Sequence, residues 1–134
     1  MRICLDTDVL SEFLRGDHRV VSEITEAVRA GDSRIAITIV TVYEVLKGLR
    51  HREAPAKEER FRNALKSLYI LPLDESAVNE AAAIYADLRR RGETISDADV
   101  LIAGIVMANG YTLVSNNVKH YNRIQRLGLR SWVL

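Results

Sequence analysis

Short apolar runs alternate along this chain with longer stretches in which apolar residues recur with a helical period. Continuous apolar runs are typical of parallel strands covered on both faces, and the helical period is typical of amphipathic helices. The alternation predicts βαβ units and therefore an α/β fold with a mostly parallel sheet of about five strands. The predicted strands are residues 2–5, 35–39, 69–73, 112–115 and 129–134.

Helices are predicted between these strands, and local signals mark several of their ends. A glycine follows several of the amphipathic stretches, as is typical of helix C-termini. Asp74 and Ser96 precede two stretches as N-caps, and Pro55 is acceptable in the first turn of another helix. The predicted helices are residues 9–14, 20–30, 41–49, 55–68, 75–91 and 97–109.

The chain has 134 residues, enough for one domain with a hydrophobic core and too few for two ordinary ones, so we expect residues 1–134 to form a single domain. Hydrophobic residues make up 48% and charged residues 28%, which is the balance of a soluble globular protein. Basic and acidic side chains number 19 and 18, so net charge does not argue for a nucleic-acid partner. Local basic groups lie at residues 50–52, 89–91 and 119–130, although a solvated helix face is the simpler explanation of each one alone.

Cysteine usage and the first residues bear on location. Cys4 is the only cysteine and lies in an apolar strand, so we expect neither a disulfide framework nor a cysteine metal motif. A reducing, cytoplasmic setting fits. Charged side chains interrupt the first few residues, so these residues cannot form the apolar core of a signal peptide. No apolar run approaches the roughly 20 residues that span a bilayer. We therefore expect no membrane insertion.

Four carboxylates lie where predicted strands end and helices begin. Asp6 follows the first strand, Glu44 follows the apolar run at 35–42, and Asp97 and Asp99 precede an apolar helix. In open parallel sheets the carboxyl ends of the strands form one edge, where such residues meet. Clustered carboxylates repel one another unless a divalent cation such as Mg2+ or Mn2+ supplies compensating charge. The pattern predicts a metal site for phosphoryl transfer or phosphodiester hydrolysis.

Helix capping is an alternative explanation of each carboxylate. Thr41 with Glu44, and Ser96 with Asp99, have the spacing of a capping box, in which hydroxyl and carboxylate satisfy backbone N–H groups. Asp6 would similarly cap a helix beginning near residue 8. Capping does not explain why these acids occur together after buried strands. Residues 97 and 99 differ by about 200° around a helix, so we favour Asp99 as the direct metal ligand and give Asp97 a supporting or second-metal role.

Four segments together carry a resemblance to a known family. They are residues 3–10 (ICLDTDVL), residues 37–44 (ITIVTVYE) with Gly48, residues 97–103 (DADVLIA), and residues 112–117 (TLVSNN) with Tyr121, Arg123 and Ile124. In order and spacing they resemble PIN-domain ribonucleases of the VapC type, the toxins of bacterial and archaeal toxin–antitoxin pairs. The resemblance extends over essentially the whole chain, to Gly128-Leu129 and Trp132.

The resemblance implies an endoribonuclease that depends on Mg2+ or Mn2+ and has a Rossmann-like three-layer α/β/α sandwich. It also implies a homodimer that is held inactive by a cognate VapB-type antitoxin. Asp6, Glu44 and Asp99 match the family's acidic metal-site positions. Hydrolysis by an activated water needs no 2'-hydroxyl nucleophile, and the family analogy implies 5'-phosphate and 3'-hydroxyl products. Transfer, ribosomal and messenger RNA all remain possible targets.

The fourth segment departs from the family pattern. Many PIN domains carry another Asp there, whereas Ser115-Asn116-Asn117 has none, which leaves open whether one metal or two are bound. The carbonyl of Asn117 is a possible Mg2+ ligand, and an ordinary polar turn is the alternative. His120 lies near a position that is often acidic, with a plain surface side chain as its alternative.

Two other functions fit part of the sequence. The opening ICLDTDV also fits haloacid-dehalogenase-like phosphatases, with Asp6 as a covalent nucleophile, but that class needs a Lys and a late acidic motif that residues 115–117 do not supply. A catalytically inactive protein-binding module, in which the acids are only caps, is the third possibility. Such a module would tolerate Asp6→Asn and Asp99→Asn in every assay except stability.

Overall fold

The sheet is built from five parallel strands in the order β3-β2-β1-β4-β5. The computed structural model describes residues 2–31 and 35–132. The first strand is central, and it pairs with β2 through Ile3 opposite Ile35 and with β4 through Leu5 opposite Val114. The predicted parallel sheet of about five strands is confirmed. The strands are β1 Ile3–Leu5, β2 Ile35–Thr38, β3 Tyr69–Leu71, β4 Thr112–Val114 and β5 Leu129–Arg130.

Helices cover both faces of this sheet, as strands buried on both sides require. Ile3 and Leu5 pack with residues of the first four helices, whereas Cys4 between them packs with residues of α5 and α6. This gives the three-layer α/β/α sandwich that the sequence and its family resemblance predicted. The helices are α1 Thr7–Leu14, α2 His18–Arg29, α3 Ile39–His51, α4 Pro55–Leu65, α5 Glu75–Arg90, α6 Asp97–Asn109 and α7 Val118–Tyr121.

Helix ends were predicted best where the signal is local. Asp74 caps α5 by accepting a hydrogen bond from the Ala77 N–H at 2.9 Å, and α6 ends at Gly110 with a φ of 68°. The start of α3 was predicted two residues too late. Thr38 rather than Thr41 is its N-cap, and the Thr38 hydroxyl accepts the Thr41 N–H at 3.1 Å. That cap ends β2 at Thr38, before the predicted residue 39.

Other boundaries also differ from prediction. β3 and β4 are shorter than predicted, α4 ends at Leu65 rather than at residue 68, and the short helix α7 was not predicted. β5 ends at Arg130, and the last predicted strand residues, 133 and 134, lie outside the described residues. No helix in the described part of the chain is both long enough and apolar enough to cross a membrane.

Close packing of α5 against α6 fixes the position of α6 on the sheet. A Cβ atom at Gly104 would lie 2.7 Å from the Ala81 Cβ and 2.8 Å from the Ala77 carbonyl oxygen. Only glycine permits this approach without displacement of α5 backbone. The N-terminus of α6, which carries Asp97 and Asp99, is thereby held at the carboxyl edge of the sheet.

Candidate active site

The carboxyl ends of β1, β2 and β4 surround a polar cleft. Because β1 lies between β2 and β4, the residues that follow these strands become neighbours in space. The cleft has a volume of about 480 Å3 and is open to solvent. Its lining residues come from the segments that follow β1 and β4, from α3, which follows β2, and from the first turn of α6: Asp6, Thr7, Asp8, Glu44, Asp99, Asn116 and Asn117.

Polar side chains buried around this cleft set it apart from the rest of the core. Among the described residues, four polar or charged residues are buried, namely Asp6, Thr38, Thr41 and Ser115. All four take part in the hydrogen-bond network that links β1, β2 and β4 beneath the cleft. Burial of polar groups is costly unless they are paired, so this network indicates a built site.

Asp6 is both a helix cap and a cleft residue. Its Oδ1 accepts the Thr7 N–H at 2.9 Å, as an N-cap of α1 does, and its Oδ2 accepts the Ser115 hydroxyl at 2.7 Å. Burial raises the pKa of Asp6 to about 6, and the charges of Asp8 and Asp99 add to the rise, although the hydrogen bonds oppose it. Asp6 therefore caps α1 and at the same time lines the cleft.

Glu44 is not a helix cap. Because α3 begins at Ile39, Glu44 lies in its second turn, so the alternative explanation of Glu44 as part of a capping box with Thr41 does not hold. The Thr7 hydroxyl donates to Glu44 Oε1 at 2.7 Å and lies 3.1 Å from the Thr41 hydroxyl. Thr7 thus joins two carboxylates, since its backbone N–H binds Asp6 and its hydroxyl binds Glu44.

The two acids of α6 are placed differently. Ser96 caps the helix as predicted, and its Oγ accepts the Asp99 N–H at 3.2 Å. The Asp99 carboxylate faces the cleft, where Oδ1 accepts the Tyr121 hydroxyl at 3.2 Å. Asp97 is exposed and does not line the cleft. Its placement does not favour the supporting or second-metal role predicted from the sequence, because its side chain lies outside the cleft.

Asn117 and His120 flank the Asp99 side of the cleft. The Asn117 N–H donates to the Ser115 hydroxyl at 2.9 Å, and its side-chain amide nitrogen lies 3.0 Å from His120 Nδ1. His120 Nδ1 lies 4.0 Å from Asp99 Oδ2. The structure therefore brings four predicted residues, Asp6, Glu44, Asp99 and Asn117, to one cleft and leaves His120 at its rim.

Sequence reasoning assigned no role to several residues of the site. Asp8 accepts the Asn116 N–H at 3.2 Å, burial raises its pKa, and the Asn116 amide donates to Glu12 at 2.7 Å. Position at a strand end was a usable signal for Thr7, Asp8 and Asn116, which adjoin predicted strand ends. No sequence signal indicated the contacts of Tyr121, which depend on how α7 folds back.

The donor set fits a hard divalent cation. Carboxylate and amide oxygens are the ligands that Mg2+ and Mn2+ prefer, and the cleft offers both. Within residues 2–31 and 35–132, no three His, Cys, Asp or Glu side chains converge closely enough to hold one ion together. Mg2+ does not require such a cage, because it keeps several waters and is held by one or two carboxylates with substrate phosphates.

The phosphatase alternative fits the cleft poorly. Asp6 is 6% exposed, and hydrogen bonds from Thr7 and Ser115 fix both of its carboxylate oxygens, which suits a stationary ligand better than a nucleophile that must approach phosphorus. No lysine is among the described residues that line the cleft. The chemistry of the site therefore favours holding a cation over covalent catalysis by Asp6.

Comparison with known proteins agrees with this geometry. The family profile described as PIN domain matches residues 3–127. Ribonuclease VapC1 of Methanocaldococcus jannaschii is 32% identical over 130 residues, which is 96% of this chain and 85% of that protein. The tRNA(fMet)-specific endonuclease VapC of Salmonella typhimurium is 27% identical over 110 residues, covering 81% of this chain and 83% of that protein.

A solved structure shows the same fold. The chain superposes with a TM-score of 0.89 on a chain of VapBC2 from Rickettsia felis, which was crystallised bound to a DNA fragment from its promoter. The two chains are 23% identical, and the match covers 98% of this chain and 99% of that one. A match over nearly the whole of both chains shows that they share one fold.

Proposed function

The chain belongs to the PIN domain family, and from that membership and its cleft we propose that it is a metal-dependent endoribonuclease, the toxin of a VapBC-type pair. One observation carries the proposal. Asp6, Glu44 and Asp99 come from three distant parts of the sequence and line one polar cleft at the carboxyl edge of the sheet. Asp6 and Glu44 share Thr7 as a hydrogen-bond donor, and Asp6 and Asp99 share Tyr121.

Asp6, Glu44 and Asp99 are the candidate carboxylates for Mg2+ or Mn2+, of which one or two would contact the ion directly and the rest through bound water, with the Asn117 carbonyl as an additional oxygen ligand. When bound, such a cation lowers the pKa of a bound water and neutralises charge on phosphate oxygens. Asp6 is the most strongly fixed of the three carboxylates, since Thr7 and Ser115 hold its two oxygens. Asp97 is assigned no ligand role, because its side chain is exposed outside the cleft.

The protein side chains also serve the hydrolysis step. Water attacks phosphorus in line, the bond from phosphorus to the 3'-oxygen breaks, and the leaving 3'-oxygen takes up a proton from solvent, so the products carry 5'-phosphate and 3'-hydroxyl ends. Glu44 or Asp99 accepts the proton of the attacking water. Asp6 is less suited to that task, because both of its oxygens already accept hydrogen bonds from the protein.

RNA binding falls to the basic group that adjoins the cleft. Arg50 pairs with Glu58 at 3.2 Å, and Arg91 pairs with Asp87 at 2.7 Å, so two of the three basic groups are partly neutralised. Lys119 is exposed on α7, which directly follows the cleft residues Asn116 and Asn117. We propose that Lys119 contacts the phosphate backbone of RNA. Contacts to the bases would then be made where the RNA is single-stranded or forms a loop, because the bases are accessible there.

Partner and location follow from the same proposal. The Rickettsia felis structure is a VapBC complex, and we propose a VapB-type antitoxin for this chain, with a homodimer of the toxin and a cytoplasmic location. Co-expression with the neighbouring gene should yield a complex, and light scattering of the free toxin should give the mass of two chains. A monomer at every concentration would contradict the dimer.

The deciding experiment measures RNA cleavage. Antitoxin-free protein is incubated with structured RNA in Mg2+ or Mn2+. Because the Salmonella relative is named for tRNA(fMet), that tRNA is included among the RNAs tested. We expect cleavage that EDTA and Asp99→Asn abolish and that Asp97→Asn, the matched exposed control on the same helix, leaves unchanged. Folded, partner-free protein that cleaves no RNA under any metal condition would contradict the proposal in favour of a binding module.

A further inference from the structure

Tyr121 connects the hydrophobic core to the floor of the cleft. It ends the short helix α7 and is fully buried, with an exposed fraction of 0%. Its ring belongs to the core cluster that also contains Leu88 of α5 and Ile102 of α6. Its hydroxyl reaches out of this apolar cluster to Asp6 Oδ1 at 3.4 Å and to Asp99 Oδ1 at 3.2 Å.

We propose that Tyr121 is a positioning residue that sets the spacing and orientation of the Asp6 and Asp99 carboxylates for metal binding. This inference rests on the proposed function, because it assigns Tyr121 a role in the same site. Asp6 and Asp99 lie on opposite sides of one hydroxyl, which ties the end of β1 to the first turn of α6.

The hydroxyl suits this role because it is a donor between two acceptors. Two carboxylates with no cation between them repel, and a proton donor placed between them offsets part of that repulsion. A phenolic hydroxyl is protonated at neutral pH, since its ordinary pKa is about 10, so it can donate to either carboxylate.

The contacts also decide which oxygen of Asp99 is available. Tyr121 occupies Oδ1, whereas Oδ2 has only His120 nearby, at 4.0 Å among the described residues. Oδ2 accepts no hydrogen bond from the described residues, so it is the oxygen of Asp99 that remains free for a cation. On the other side, Tyr121 is a third donor to Asp6, in addition to Thr7 and Ser115.

Packing alone does not require the hydroxyl. A phenylalanine ring would fill the same apolar volume, so Tyr121→Phe separates the packing of the ring from the hydrogen bonds of the oxygen. Tyr85→Phe is the matched control, because Tyr85 lies on α5 with 43% of its surface exposed and does not line the cleft.

Direct Mn2+ binding to the full-length, RNA-free and antitoxin-free protein tests the inference. Free Mn2+ is measured by electron paramagnetic resonance, and circular dichroism checks the fold of each variant. We expect Tyr121→Phe to raise the Kd for Mn2+ by roughly 10- to 100-fold, as loss of a residue that orients metal ligands does. Tyr85→Phe should leave the Kd unchanged.

A second measurement separates positioning from general damage. If Tyr121 acts through the metal, excess Mn2+ should restore RNA cleavage by Tyr121→Phe to near the wild-type rate, whereas a structural defect would persist at every Mn2+ concentration. An unchanged Mn2+ Kd in Tyr121→Phe would overturn the inference while leaving the proposed function intact. Failure of the wild-type protein to bind Mn2+ would overturn the metal site and this inference together.

Discussion

Replacing Asp6 with asparagine should stabilise the metal-free protein at neutral pH. The side chain is 6% exposed, and burial raises the pKa of Asp6 from 3.8 to about 6, with Asp8 and Asp99 contributing. A carboxyl group whose pKa is higher in the folded state binds its proton more tightly there. The Asp6 carboxyl group therefore makes its full contribution to the free energy of unfolding below about pH 4, and that contribution is lost as the pH rises through about 6.

The size of the effect follows from the shift. A shift of about two units at about 1.4 kcal/mol per unit costs the folded protein at most about 3 kcal/mol above pH 7. Asparagine has nearly the same volume, keeps an oxygen to accept the Thr7 N–H, and carries no charge. We expect Asp6→Asn to raise the free energy of unfolding by up to about 3 kcal/mol at pH 7.5, or about 10 °C in Tm.

Urea and thermal unfolding in EDTA across pH 4 to 8 would measure this difference. The gain should be largest at pH 7.5 and should fall to a small fraction of that value near pH 4, where Asp6 is protonated in the folded protein and about half protonated in the unfolded protein. Asp97→Asn makes the same chemical change at an exposed position and should stay within about 0.5 kcal/mol of wild type. A loss of about 1 kcal/mol or more at every pH would refute the reasoning and show that Asp6 acts mainly as a helix cap.

The remaining predictions concern catalysis, metal affinity and packing. Glu44→Gln and Asp99→Asn should each abolish RNA cleavage without loss of helical circular dichroism, because they remove ligand charge at constant volume; residual wild-type cleavage by either would contradict the assignment. Asn117→Ala should raise the Mg2+ concentration needed for half-maximal cleavage, and an unaltered Mg2+ titration would dismiss its carbonyl as a ligand. Gly104→Ala should lower the free energy of unfolding by about 1–3 kcal/mol in urea, because the new Cβ would lie 2.7 Å from that of Ala81; equal stability would show that α5 shifts freely.

The helix ends show which features of the fold can be predicted from neighbouring residues. Asp74 and Ser96 were recognised as caps, and Gly110 as a helix end, because each signal acts within a few residues. The start of α3 was missed because Thr38 and Thr41 both carry a capping hydroxyl. Thr38 keeps the extended backbone at the end of β2 and its hydroxyl caps α3, whereas the Thr41 hydroxyl contacts Thr7.

The acids of the site were predictable for a different reason. Asp6, Glu44 and Asp99 each follow an apolar run or precede an apolar helix, and in a parallel sheet those positions share one edge. The sequence predicted the start of α6 and the separation of Asp97 and Asp99 around it, but which of the two faces the cleft depends on how the helix is rotated about its axis, and packing against α5 decides that.

Apolar periodicity and capping residues along the chain are thus sufficient to specify the layers, the parallel sheet and the edge where the acids meet. The contacts among those acids depend on strand order and on α7. Ser115 meets Asp6 across 109 positions because β4 pairs with β1, and Tyr121 meets Asp99 across 22 positions because α7 folds back beneath the cleft. Such contacts arise from the packing of distant segments, which local propensities do not encode.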